Sequence, residues 1–130
     1  MRVLFVEDNE VNRRVVREML TAGGMEMTEA EDGPAGLAMI EANDYDLVLM
    51  DLRMPGMDGM TAIRHIRARG DDKANVPVIV VTADSGATID ADCREAGADE
   101  VIWKPVSMTS LYGTIDQLMA RRGGDGVLVA

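Results

Sequence analysis

Five segments of strand length alternate along this chain with segments whose apolar residues recur at helical spacing. Four of the five are mainly apolar runs, which is typical of strands buried on both faces, and the second alternates loosely, as an edge strand does. This alternation predicts an α/β fold, a doubly wound parallel sheet with helices on both faces. The predicted strands span residues 2–6, 25–30, 47–50, 76–81 and 99–103.

Capping residues mark the ends of the predicted helices. Asn9 and Ser107 are suited to cap the first and the last helix, and Gly97 is placed to end the fourth, because glycine readily adopts the left-handed conformation common there. The fourth helix, predicted over residues 85–96, contains few large apolar side chains, so we expect it to be the most weakly packed. Three arginines of the third helix are predicted to face solvent: Arg64, Arg67 and Arg69.

Polar residues stand at the carboxyl ends of four predicted strands: Glu7 with Asp8, Asp51, Thr82 and Lys104. Right-handed crossovers bring these ends to one edge of the sheet, where open α/β sheets bind their ligands. Three carboxylates gathered there repel one another unless a cation lies among them, and Mg²⁺ suits a site with few carboxylates. A lysine ammonium and a threonine hydroxyl are groups that hold a phosphoryl oxygen.

The composition limits the kinds of partner. The 130 residues suit one domain, and 13 Lys and Arg against 23 Asp and Glu give a net charge of −10, which argues against direct binding to nucleic acid or to an anionic membrane. The single Cys93 excludes an internal disulfide framework and fits a reducing compartment. The chain opens with no signal-peptide pattern, and no apolar run reaches the roughly 18 residues of a membrane span. We therefore expect a cytoplasmic location.

The sequence resembles the receiver domain of two-component response regulators, from Val3 to about Arg121. Four motifs carry the resemblance: Val6-Glu7-Asp8-Asn9, Leu49-Met50-Asp51-Leu52-Arg53-Met54-Pro55-Gly56-Met57-Asp58-Gly59, Val81-Thr82-Ala83 and Lys104-Pro105. The resemblance implies a flavodoxin-like (βα)5 fold with strand order 2-1-3-4-5 and a cis Lys104–Pro105 bond. It also implies a regulatory phosphoacceptor domain of a bacterial two-component system or phosphorelay, not an enzyme.

The resemblance assigns roles to the residues of the predicted site. It makes Asp51 the phosphoacceptor, which receives a phosphoryl group from a phosphohistidine of a histidine kinase or a histidine phosphotransfer protein. It makes Asp8, Asp51 and the backbone carbonyl of Arg53 the ligands of Mg²⁺, with Glu7 acting mostly through water.

Thr82 and Lys104 complete the implied site by contacting the phosphoryl group. The implied output is a conformational change of the face formed by the fourth helix, fifth strand and fifth helix, to which a downstream protein binds.

One position departs from the family pattern. The switch position holds Val101, where the family usually has Tyr or Phe, and valine is too small to report the movement of Thr82 by swinging a ring inward. Trp103 lies on the same side of a strictly alternating strand, nearer the site.

Arg53 and Asp84 occupy two positions that, in this family, flank the path of the water that hydrolyses the acyl phosphate. Their opposite charges favour an ion pair across the phosphoryl group, in which the long Arg53 side chain shields phosphorus and lengthens the phosphorylated state. An unpaired Asp84 would instead orient the water and shorten that state. A third possibility is that both side chains point into solvent and have no effect.

Two other functions fit parts of this pattern. An aspartate-nucleophile phosphohydrolase of the haloacid-dehalogenase type has a second Asp two residues after the nucleophile, where this chain has Arg53. A flavodoxin-like redox carrier has a phosphate loop rich in Ser, Thr and Gly after the first strand, whereas Glu7 and Asp8 would repel a phosphate. Taken singly, the polar strand ends also fit helix caps and turn residues. Their coincidence at one edge favours a site, and the phosphohydrolase is the alternative that we retain.

The expected domain organisation is a receiver over residues 1–121 and a flexible tail or linker over residues 122–130. Both a stand-alone regulator and the receiver of a hybrid histidine kinase fit this organisation. The segment Glu7-Asp-Asn-Glu-Val-Asn-Arg-Arg14 resembles the first-helix opening common in hybrid-kinase receivers, which favours the second.

Overall fold

The structure, a computed structural model, describes residues 1–124. Within them, the strands are β1 (Arg2–Val6), β2 (Glu26–Ala30), β3 (Leu47–Asp51), β4 (Val78–Thr82) and β5 (Glu100–Trp103). The helices are α1 (Glu10–Ala22), α2 (Gly33–Ala42), α3 (Gly59–Arg67), α4 (Ile89–Ala96) and α5 (Met108–Gly124), with a 3₁₀ helix at Asp72–Asn75. Each α-helix follows one strand, in agreement with the predicted alternation.

The five strands form one parallel sheet in the order β2-β1-β3-β4-β5. This order confirms the predicted doubly wound, flavodoxin-like fold. The register pairs Asp51 of β3 with Val81 of β4, and Thr82 of β4 with Trp103 of β5. Because the strands are all parallel, their carboxyl ends meet at one edge of the sheet, which is where the predicted site residues lie.

Two hydrophobic clusters cover the two faces of the sheet. Leu4 and Met50 point into the cluster under α2, α3 and α4, whereas their neighbours Phe5 and Leu49 point into the cluster under α1 and α5. Full burial of one such side chain is worth about 1.5–3 kcal/mol. The central strands are therefore held from both sides, and the residues at their ends are fixed in position. β2 lies at the edge and is mostly half-buried, as its loose alternation predicted.

The predicted caps are confirmed. The Asn12 N–H donates to Oδ1 of Asn9 at 3.0 Å, and the Ser110 N–H donates to Oγ of Ser107 at 3.0 Å. Gly97 ends α4 with φ of 119°, a left-handed conformation that few other residues adopt without strain. These helix ends are therefore specified by local sequence.

The prediction that α4 begins at residue 85 was wrong, since α4 begins at Ile89. Gly86 has a low helix propensity, and its N–H donates to Oδ1 of Asp84 at 3.3 Å, a local bond that competes with a helical turn. Residues 83–88 consequently form a non-helical loop beside the site. Two residues of α4 are buried: Cys93 and Ala96.

β2 and β5 begin one residue later than predicted, and β3 and β4 end one residue later. Two larger differences occur at the start of β4 and the end of α5. β4 begins at Val78, two residues later than expected, because Pro77 has no N–H to donate to the sheet. α5 continues to Gly124, three residues past the expected end of the domain, and residues 125–130 of the expected tail lie outside the described residues. Within residues 1–124, no helix combines the length and the apolar character that crossing a membrane requires.

Arg67 of α3 and Arg69, which follows the end of α3, are half-buried, so the prediction that they face solvent was wrong, whereas Arg64 is exposed as predicted. The guanidinium of Arg67 connects the end of α3 to the amino-terminal edge of the sheet, opposite the predicted site. It donates to the backbone carbonyls of Ala74, Val76 and Gly97 and to the carboxylate of Asp99, at 2.6–3.1 Å.

Candidate functional site

The carboxylates predicted at the carboxyl edge of the sheet lie together. Asp51 ends β3 and is 3% exposed, Glu7 follows β1 and is 1% exposed, and Asp8 is mostly exposed. Each offers one carboxylate oxygen, and these three oxygens lie within 4.8 Å of one another. A cluster of oxygen ligands with this spacing suits a hard divalent cation such as Mg²⁺.

Lys104, just after β5, supplies a positive charge to this cluster. Its Nζ donates to Oε1 of Glu7 at 2.8 Å and to Oδ1 of Asp51 at 3.3 Å. Partial burial alone would lower the pKa of Lys104, but the hydrogen bond to Glu7 and the negative charge of Asp51 outweigh it and raise the pKa. Lys104 is therefore charged at neutral pH. Its peptide bond to Pro105 is cis, which confirms the implied isomer.

The surroundings of Asp8 disfavour the ionised form of its carboxyl group. Partial desolvation raises the pKa of Asp8, and the hydrogen bond and negative charge of Glu7 raise it further. Both causes act against the ionised form of a carboxyl that lies beside another carboxylate. A divalent cation among the three carboxylates would reverse this balance, because it favours their ionised forms.

Arg13 holds Glu7 in place, a role that the sequence analysis did not anticipate. Arg13 is buried on α1, where its Nη1 donates to the backbone carbonyl of Glu7 at 2.7 Å and its Nε donates to Glu29 at 2.9 Å. Asn12 adds a hydrogen bond of 3.3 Å from Nδ2 to the Glu7 carboxylate. The place of Arg13 in the sequence could have indicated this role. Arg13 follows the cap Asn9 by four residues, so it lies in the first turn of α1, beside the end of β1.

Thr82 and Asp84 connect the end of β4 to the loop before α4. Thr82 is fully buried, and its Oγ accepts a hydrogen bond from the Asp84 N–H at 2.9 Å. The Asp84 carboxylate accepts hydrogen bonds from Nε of Arg53 at 3.2 Å and from Nη2 of the same side chain. This pairing lowers the pKa of Asp84 and raises that of Arg53. The two residues singled out as flanking the site are therefore in contact.

Gly59 sets how closely α3 approaches the acceptor strand. A Cβ at Gly59 would lie 2.2 Å from the backbone oxygen of Asp51 and 2.9 Å from Cα of Leu52, so no larger residue fits without moving backbone. Asp58 caps the same helix by accepting the Thr61 N–H at 2.8 Å, which lowers the pKa of Asp58. The helix start thus fixes the loop that follows Asp51.

The switch position holds a buried side chain. Val101 packs in the cluster under α2, α3 and α4. Trp103, two residues further along β5, is 43% exposed, and its Nε1 donates to the backbone carbonyl of Asp84 at 3.0 Å. The side chain that reaches the loop beside the site is therefore Trp103.

The sequence of residues 3–116 matches the family described as the response regulator receiver domain. The chain belongs to this family. Sensory transduction protein RegX3 of Mycobacterium tuberculosis is 40% identical over 123 residues, which are 95% of this chain and 52% of RegX3, so the chain spans about half the length of that relative. Chemotaxis protein CheY-3 of Vibrio cholerae is 33% identical over 122 residues, 93% of each chain.

Similarity to solved structures agrees with this membership. The receiver domain of sensor histidine kinase PA1611 from Pseudomonas aeruginosa has a TM-score of 0.83 and 34% identity, over 92% of this chain and 97% of that one, and contains a magnesium ion coordinated in its active-site cleft. Receiver domains are regulatory phosphoacceptor domains that interact with histidine kinases. The acidic cluster of Glu7, Asp8 and Asp51 fits a phosphoacceptor site, and the phosphohydrolase alternative is not favoured.

Proposed function

We propose that Asp51 is the phosphoacceptor and that it takes its phosphoryl group from a phosphohistidine of a histidine kinase or a histidine phosphotransfer protein. The observation that carries this proposal is the buried Asp51 carboxylate at the end of β3, with Nζ of Lys104 at 3.3 Å. In the transfer, the P–N bond of the donor breaks as a P–O bond to an Asp51 carboxylate oxygen forms. The imidazole nitrogen keeps the electron pair of the broken bond.

Lys104 and Thr82 act on the phosphoryl group during this transfer. The Lys104 ammonium offsets negative charge on a phosphoryl oxygen, and the Thr82 hydroxyl donates a hydrogen bond to another. The contribution of the protein is therefore positioning and electrostatic stabilisation, as is usual for phosphoryl transfer. Incubation with acetyl phosphate and Mg²⁺, followed by intact-mass measurement, tests the proposal, with one added phosphoryl group expected per chain.

The donor set of the site fits Mg²⁺, because it offers three carboxylate oxygens within 4.8 Å of one another. We assign Asp8, Asp51 and the backbone carbonyl of Arg53 as its ligands, with Glu7 acting mostly through water. When bound, Mg²⁺ supplies positive charge that offsets the charge of the phosphoryl oxygens. In its absence, Lys104 is the cation that contacts Glu7 and Asp51.

Mg²⁺ is expected to stabilise the folded protein, because it binds the carboxylate cluster that only the folded state assembles. At ten times its dissociation constant, Mg²⁺ should contribute about 1.4 kcal/mol and raise Tm by about 5 °C. Differential scanning calorimetry across a Mg²⁺ titration at constant ionic strength measures this shift. Asp8→Asn is the control: it should lose most of the response and be more stable than the parent without Mg²⁺, since it relieves the repulsion with Glu7. An equal Mg²⁺ response in Asp8→Asn would contradict the assignment.

The phosphorylated state ends by hydrolysis and, while it lasts, changes the face formed by α4, β5 and α5. Water attacks phosphorus, the P–O bond to Asp51 breaks, and inorganic phosphate leaves as the carboxylate is restored. A downstream protein binds the changed face, which α4 allows to move because its core contacts are few: Cys93 and Ala96 are buried and Ile89 is partly buried. The unit that switches is the receiver of residues 1–121. Its net charge of −10 supports a cytoplasmic protein partner over nucleic acid or membrane.

Arg53→Ala is expected to shorten the lifetime of phosphorylated Asp51 several-fold, because the paired Arg53 side chain shields phosphorus from water. Asp84→Ala should accelerate the decay of phosphorylated Asp51 by a smaller factor, since it removes the group that orients Arg53 over the site. The decay of the phosphorylated species, followed by intact mass after the phosphodonor is removed, gives both rates.

The double variant separates shielding from independent effects of the two side chains. If the pair acts as a unit, the double variant should decay no faster than Arg53→Ala, so that the two single effects are not additive. Unchanged or slower decay in Arg53→Ala would reject shielding and leave the lifetime to other residues.

A further inference from the structure

Trp103 connects the loop beside the site to β5. It is the only tryptophan of the chain and lies at the carboxyl end of β5, paired in register with Thr82 of β4. Trp103 is 43% exposed, yet its Nε1 donates to the backbone carbonyl of Asp84 at 3.0 Å. The position of the loop over residues 83–88 is thus tied to one exposed aromatic side chain.

Two other groups outside the loop hold Asp84, and both belong to the proposed phosphorylation site. Its N–H donates to Oγ of Thr82 at 2.9 Å, and its carboxylate accepts from the Arg53 guanidinium. Among residues 1–124, the Thr82 hydroxyl accepts this hydrogen bond and donates none, so its proton is available to a phosphoryl oxygen.

A phosphoryl group on Asp51 attracts the same two groups that hold Asp84. It presents oxygens that accept charge-assisted hydrogen bonds, which attract both the Thr82 hydroxyl and the Arg53 guanidinium. As these groups move toward phosphorus, they draw Asp84 with them, because Thr82 donates its own proton while it still accepts the Asp84 N–H, and Arg53 stays paired with the Asp84 carboxylate. The loop that contains Asp84 is non-helical and precedes a helix with two buried residues, so it resists such a shift weakly.

We propose that Trp103 is the residue through which phosphorylation reaches the protein surface. In the resting state the indole N–H holds the Asp84 carbonyl, and phosphorylation of Asp51 releases that hydrogen bond by moving Asp84. The exposed indole then changes its position on the face formed by α4, β5 and α5. Val101 cannot take this role, because it is buried and has no hydrogen-bonding side chain. The inference rests on the proposed function of Asp51.

Trp103 fluorescence measures this coupling directly, with beryllofluoride and Mg²⁺ as the probe for the phosphoryl group. The indole emission is expected to change in proportion to the beryllofluoride that fluorine NMR shows to be bound. Compared at equal occupancy, Thr82→Val should lose most of the emission change and Thr82→Ser should restore it, because serine keeps the hydroxyl. An emission that stays constant while beryllofluoride binds would overturn the inference.

Trp103→Phe tests whether the hydrogen bond favours the resting state. Phenylalanine keeps an aromatic ring and removes the N–H, so the active state should become more populated and half-saturation should need about two- to tenfold less beryllofluoride. Met108→Ala is the control, because it removes another exposed apolar side chain near β5 and should leave the midpoint unchanged.

The two variants and the parent together separate the role of Trp103 from the phosphoacceptor function of Asp51. An unchanged or raised midpoint in Trp103→Phe, with normal binding by the parent, would overturn the role of Trp103 alone. If the parent binds no beryllofluoride at any concentration, the proposed function fails and this inference fails with it.

Discussion

Asp51→Asn is expected to abolish phosphorylation of the chain by acetyl phosphate and Mg²⁺. Asparagine has nearly the same shape as aspartate but has no carboxylate oxygen to form the acyl phosphate, so the nucleophile is lost while the fold is kept. The parent should gain one phosphoryl group, and the variant should gain none above background. Intact-mass spectrometry measures both, and circular dichroism verifies that the variant is folded.

A matched control removes a carboxylate elsewhere. Asp116 is exposed on α5 and is not a residue of the site, so Asp116→Asn should be phosphorylated as the parent is. Phosphorylation of Asp51→Asn to the level of the parent would contradict the assignment of Asp51 as the acceptor. Sustained release of inorganic phosphate with many turnovers, and no accumulated phosphoprotein, would instead favour the phosphohydrolase alternative.

The fold was predictable from sequence because its main determinant is the pattern of buried strands. Central strands covered on both faces have few polar residues, so the apolar run in β3 marks its own length and ends at Asp51. The loop before α4 was not predictable in the same way. There the choice between helix and loop depends on the hydrogen bond between Gly86 and Asp84 and on the partner of Asp84 across the site.

The positions of the site residues followed from topology, whereas the contacts that hold them did not. A parallel sheet gathers its strand ends, so Glu7, Asp51 and Lys104 could be placed together before any coordinates were known. The burial of Arg13 and Arg67 could not be predicted, because arginine faces solvent in most helices and only tertiary packing brings carbonyl oxygens to it. Both arginines satisfy backbone groups that helices and strands leave unpaired.

Lys104→Met is expected to destabilise the protein without Mg²⁺ by about 2–3 kcal/mol, because it removes the cation from two buried carboxylates. Methionine has a similar length and keeps the apolar contacts of the side chain, so the loss reports the charge. Glu7 is 1% exposed and cannot recover its hydration without local opening. Chemical denaturation in the presence of a chelator measures the loss, which should appear as a lower midpoint with an unchanged m-value.

The same variant should respond more strongly to Mg²⁺ than the parent does. In the parent, Mg²⁺ enters a cluster that Lys104 already neutralises in part, whereas in Lys104→Met the cation relieves the full repulsion between Glu7 and Asp51. Mg²⁺ should therefore recover most of the lost stability. Phosphorylation should stay slower than in the parent by about a hundredfold, because the positive charge of Lys104 that offsets the charge of the phosphoryl oxygens is still missing. Lys104→Arg, which keeps the charge, should lose less stability. A Mg²⁺ response in Lys104→Met no larger than that of the parent would show that Lys104 and the metal act independently.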